Sequence, residues 1–153
     1  MSRPAASSPF VVATSASCRA NGATVAEMGV VSPVDGAAFA GPNVVTLQGR
    51  HVRVRDLQGH EIHDWLLSAG RGARARLEDV SNGVAAIAVG ASLRLLRLSD
   101  GKEIRVRSTD SGPPLHAAFS RSELVYSYNV PSAARPGRVA VVPNAQVAST
   151  FGR

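Results

Sequence analysis

The sequence predicts an all-β chain built from tandem four-stranded antiparallel units. Three observations carry that expectation. First, two distant segments share one form: GAAFAGPNVVTLQ at Gly36–Gln48 and HAAFSRSELVYSY at His116–Tyr128. Second, LEDVSNGVAAIAV at Leu77–Val89 lies midway and repeats it, as a strand-like stretch, a polar turn and an apolar run. The period is about forty residues, a length that suits four short strands. Third, no segment keeps a helical spacing of apolar residues. HDWLLSAGRGARARLEDV comes nearest, and Gly70 and Gly72 interrupt it.

Taken in order, residues 1–9 are expected to be disordered, and residues 10–153 to form a single repeat domain. Residues 10–35, FVVATSASCRANGATVAEMGVVSPVD, supply two or three strands of a partial unit. Full units are expected near 36–75, 76–115 and 116–153. Each opens with a strand, a polar turn and an apolar strand: Ala37-Ala38-Phe39, AGPN and Val44–Leu47 in the first, Ala117-Ala118-Phe119, SRSE and Leu124–Ser127 in the third. Phe39 and Phe119, at equivalent positions, are expected in the core. The second half of a unit repeats as well. HVRVRDLQGHEI at His51–Ile62 matches SLRLLRLSDGKEI at Ser92–Ile104. Val52 and Val54 alternate with Arg53 and Arg55, as in a strand with one buried face. Leu57-Gln58-Gly59 and Ser99-Asp100-Gly101 read as hairpin turns, Asp-Gly being the stronger signal because both residues tolerate positive φ. In the last unit GRVAVVPNAQVASTF is expected to give two strands, after a longer loop NVPSAARPG.

A four-stranded repeat of this length is the pattern of a β-propeller blade, so the expected architecture is a β-propeller-like array of three to four blades of about forty residues each. In layout the chain resembles the WD-repeat type of blade over about residues 30–153. AAFSRSE and AAFAGPN stand where that family has its first turn, and RVRDLQGHE and RLLRLSDGKE where it has its last strands. The departures are specific. Arg55 precedes Asp56 where the family has tryptophan, Leu96-Arg97 replaces Trp-Asp, and no Gly-His pair precedes the first strands. The family's buried hydrogen-bond network is therefore expected to be absent. Propellers close with four to eight blades, which leaves two closures open: a minimal four-bladed ring completed by the N-terminal strands, or part of a larger propeller. An incomplete array would expose apolar strand edges and self-associate.

Composition sets outer bounds. A chain of 153 residues with 44% hydrophobic and 18% charged residues can bury a real core and is too apolar to be disordered throughout. The net charge of +6 rests on arginine, since Lys102 is the single lysine. Cys18 is the single cysteine, which excludes an intrachain disulfide and a cysteine-based zinc site. No apolar stretch reaches the length of a membrane-spanning helix. MSRPAASSPFVVATSASC has the outline of a lipoprotein signal, but its apolar patch is short and lies beside Pro4 and Pro9. It reads as an entry to a strand, and the missing signal points to the cytoplasm.

Reactive constellations are not evident. In HEIHD, His60 and His63 fall on opposite faces of a strand and cannot share a metal. GRGARA at Gly70–Ala75 matches a loose dinucleotide pattern but lacks the flanking strand and helix, and reads as a turn between units. Glu78 and Asp79 are adjacent, so strand alternation turns them apart, against an acid/base pair. No catalytic residue, cofactor or metal ligand is assigned. The candidate binding surfaces are the arginine pairs Arg53 and Arg55, and Arg105 and Arg107, each pair on one strand face, with Tyr126 and Tyr128 as a two-residue aromatic face. Arg71, Arg74 and Arg76 form a further cluster. Arginine rows suit a polyanion such as nucleic acid, although the interleaved aromatic residues that stack on single strands are missing. The expected function is a non-catalytic binding or protein-interaction scaffold with a protein partner. The alternatives are a fragment of a propeller hydrolase or quinoprotein-like dehydrogenase, and a polyanion-binding module.

Overall fold

A computed structural model describes residues 14–20, 23–30, 34–70, 72–108, 115–130, 134 and 137–152. The described chain is mostly β, in antiparallel sheets, with one short helix. Residues 1–33 and 34–153 form two separate compact units. In the first, β1 (Thr14–Ala20) pairs with β2 (Ala23–Val30) as a hairpin, on the stretch expected to give a partial blade. The expectation of disorder for residues 1–9 lies outside the described residues.

The second unit holds three sheets in succession. The first is β3 (Gly36–Ala40), β4 (Asn43–Gln48), β5 (His51–Arg55) and β6 (Glu61–Leu66), paired in chain order. The second is β7 (Ala75–Ser81), β8 (Val84–Val89), β9 (Ser92–Arg97) and β10 (Glu103–Ser108), also in chain order. The third has β11 (His116–Phe119), β12 (Glu123–Asn129) and β13 (Gly137–Pro143). One register recurs: Phe39 opposes Val44, Val80 opposes Ala85, and Phe119 opposes Leu124. Tight turns set it. At the β7–β8 turn Asn82 and Gly83 have φ of 50° and 72°, the left-handed pair a two-residue hairpin requires.

Where a fourth strand was expected in the third sheet, the chain forms the helix α1 (Asn144–Phe151). Its only buried residues, Val147 and Phe151, are one helical turn apart and face the core. Pro143 ends β13, still extended with φ −57° and ψ 138°, and the helix begins at the next residue. β13 is thereby an edge strand, with Val139 70% and Val141 53% exposed.

The sheets stack, and the middle one is buried on both faces. Ala85, Ile87 and Val89 of β8 join Val45, Leu47, Val52 and Val54 of the first sheet in one core. Ala86 and Ala88, pointing the other way, join Leu124, Tyr126, Val147 and Phe151 in the second. This accounts for the unbroken apolar run VAAIAV: a strand covered twice has no polar face to alternate with. Each fully buried Leu or Ile contributes about 1.5–3 kcal/mol of transfer free energy.

The opening strands lie close together, β7 packing against β3 on one side and β11 on the other. The β3–β7 approach is tight enough that a Cβ on Gly36 would stand 2.7 Å from Leu77 Cβ. Phe119 packs against the second core as expected, whereas Phe39 is 42% exposed. The equivalence of the two positions holds in pairing and fails in burial. Phe119 has the second sheet beside it, while Phe39 opens onto a groove at the turns.

Candidate functional site

The up-and-down course of the strands brings the β3–β4, β7–β8 and β9–β10 turns to one end of the first two sheets. There they enclose a groove of about 600 Å³. Val54 and Val80 lie in its wall, and Phe39 and Ile62, 42% and 46% exposed, stand at it as large apolar side chains. Asn43, Ser81, Asn82 and Ser99 add hydrogen-bonding groups. Apolar surface with a few polar groups is what a groove needs to seat a ligand and orient it. Sequence reading placed Phe39 in the core and so missed the groove. The signal for it was the repeated position of the AGPN and SNG turns, which puts both at the same end.

The wall between the sheets is held by Trp65 and by Ser68, Arg94 and Glu103. Trp65 of β6 reaches across to the second sheet, where its indole N–H donates to the Leu98 carbonyl at 3.1 Å. Its ring lies over Gly101, and stacks on His63 with centroids 5.0 Å apart. On the same junction, Glu103 accepts from the Ser68 main-chain N–H at 3.0 Å and its hydroxyl at 2.9 Å, and pairs with Arg94. Arg94 is buried and donates to the Ser68 carbonyl at 2.8 Å.

The second junction uses carboxylates. A β-bulge shifts the register of β7 between Leu77 and Asp79. Strand alternation therefore does not hold there, and Glu78 and Asp79, expected on opposite faces, both reach β11. Asp79 accepts from the Phe119 N–H at 2.6 Å and Glu78 from the Ala117 N–H at 3.3 Å. Glu78 also pairs with Arg76 and stands 3.3 Å from His116 Nδ1. These groups cap strand N–H donors and tie the sheets together.

Of the candidate arginines, Arg53 and Arg55 do share a face of β5, opposite to the buried Val52 and Val54. Both are engaged. Arg53 bonds Asp64 at 3.1 Å and Gln48 at 2.7 Å, and Arg55 bonds Glu61 at 3.5 Å. Burial works against ionisation of Asp64, yet its bonds to His51 and Arg53 prevail and hold its carboxyl below the ordinary value. Arg105 is exposed on β10. A register shift falls between Arg105 and Arg107, so the expected common face does not follow from alternation. The side chain of Arg107 lies outside the described residues. Tyr126 and Tyr128 are neighbours, with ring centroids 6.0 Å apart, but Tyr126 is 7% exposed and fills the second core.

His60 stands before β6 with Nδ1 2.9 Å from Asp56, while His63 stacks on Trp65. His51 Nδ1 lies 2.9 Å from Asp64, and among the described residues it bonds no serine. Gly70–Ala75 connects β6 to β7, as expected for a turn between units, with Arg71 outside the described residues. Among the described residues no helix is long and apolar enough to cross a membrane. No known family model matches the chain, and no curated protein matches it in sequence.

Proposed function

We propose that the chain is a non-catalytic scaffold, built on propeller-type repeats of WD-like layout, that holds a protein segment at the turn end of its sheets. The repeated register and the packing of each opening strand against the next support the repeat reading. The observation that carries the function is the groove flanked by the exposed Phe39 and Ile62, set between polar turns. An extended peptide suits it: apolar side chains cover Phe39 and Ile62, and its backbone meets the turn amides and hydroxyls.

The polyanion reading draws less support, since Arg53 and Arg55 already face Asp64 and Glu61. The enzyme-fragment reading has His51 and Asp64 to build on, but Arg53 shares that carboxylate.

A random-peptide display library panned against the immobilised chain tests the proposal. Selected peptides should lose at least about tenfold in affinity, about 1.4 kcal/mol, on Phe39→Ser or Ile62→Ser. Arg105→Gln should leave them unchanged. Peptides indifferent to both groove substitutions would overturn the assignment.

A further inference from the structure

The opposite end of the same two sheets carries a second feature. Two clefts of about 390 and 520 Å³ share Asp35, Arg74 and Ala75 as walls. We propose that they bind a small zwitterion with an aliphatic body, an α-amino acid being the simplest, its carboxylate on Arg74 and its ammonium on Asp35.

Arg74 is exposed, and its guanidinium has no partner among the described residues; only its main-chain carbonyl is used, by the Gly90 N–H at 3.2 Å. Its neighbours are committed elsewhere. Arg50 donates to the Ala69 carbonyl at 2.5 Å, and Arg76 to the Leu115 carbonyl at 2.8 Å while pairing with Glu78. Among the described residues of the two clefts, Arg74 is thus the guanidinium with all its donors left for a ligand. Asp35 accepts the Gly49 N–H through Oδ2 at 2.6 Å, and Oδ1 has no partner among the described residues.

Asp35 and Arg74 line the same space yet do not pair with each other. A ligand of one sign would gain from one of them and be repelled by the other, whereas a molecule carrying both charges satisfies both. Arg76, held by Glu78 and the Leu115 carbonyl, also lines the smaller cleft, and Ala75, Ala88 and Leu115 give it an aliphatic patch, so the ligand's body is apolar and short. Clefts of this size are in the range that seats small molecules.

The test is calorimetric titration of the full chain with L-leucine, N-acetyl-L-leucine, L-leucinamide and acetate. Leucine should bind, and each capped analogue should bind at least about tenfold more weakly. Arg74→Gln should erase the preference for leucine over leucinamide, and Asp35→Asn the preference over N-acetyl-leucine. The side-chain amide that Asp35→Asn introduces keeps an oxygen to accept the Gly49 N–H, so the turn stays intact. The peptides selected at the other end should bind both variants as before, so the two sites fail separately. No heat with leucine, equal affinity for leucine and either capped analogue, or acetate competing as well as leucine would each overturn the zwitterion site.

Discussion

Glu103 shows at the residue scale how one carboxylate fastens two sheets. It takes both donors of Ser68 and the guanidinium of the buried Arg94. Burial alone would raise its pKa, but the Ser68 and Arg94 bonds outweigh burial and keep it below its ordinary 4.5. The folded value is the lower one, so its stabilisation is complete above pH 4.5 and is lost as pH falls through the folded value. Urea midpoints should be level down to about pH 4.5 and decline below it, and Glu103→Gln should be less stable at neutral pH with a shallower decline. Some decline should persist, because Asp56, Asp64 and Asp100 are also held low, Asp100 to about 2 by Arg97. The pair itself was half legible. Arg53 and Glu61 occupy the positions of Arg94 and Glu103 in the matched segments, and they too approach, at 3.6 Å. The depth of burial was not legible, because it depends on Ser68 crossing from the preceding segment. Phe39 teaches the same lesson from the apolar side: a repeat position sets the pairing, and the neighbouring sheet sets the exposure.

At the scale of elements, turns and alternation were read correctly wherever the ladder is regular. The Ser-Asn-Gly and Ser-Asp-Gly turns fall where their residues allow positive φ. Irregularities escaped, the register shift between Arg105 and Arg107 among them. The bulge in β7 re-aims Glu78 and Asp79, and nothing in LEDVS distinguishes a bulged from a regular strand. The helix α1 has eight residues and two core contacts, too few to raise a periodic signal above its surroundings. The β9–β10 turn offers the sharpest test of an element junction. A Cβ on Gly101 would stand 2.7 Å from Trp65 Cδ2, at a φ of 71°. Gly101→Ala should therefore cost about 2–4 kcal/mol, from the strained backbone and the displaced indole together. Chemical denaturation would measure it, with a red-shifted Trp65 emission as the sign that the ring has left the turn.

At the scale of the molecule, repetition is what the chain shows most plainly: three antiparallel sheets share one strand register, and the middle one is covered on both faces. Period and turn spacing made the repetition legible, whereas the double cover of VAAIAV came only with the structure. The proposed binding surfaces were less so, because they arise between units. Phe39 and Ile62 come from one sheet and Asn82 from the next, and Asp35 and Arg74 are brought together only by stacking. Both proposed sites therefore depend on the opening strands packing side by side. Nuclear Overhauser spectra of the labelled full chain measure this directly. Cross-peaks should link Gly36 Hα to the Leu77 Hβ protons, and the Phe119 amide should show the downfield shift of a proton bonded to the Asp79 carboxylate. Their absence in a folded sample, with strand pairings inside each sheet intact, would contradict the stacked arrangement and both sites that depend on it.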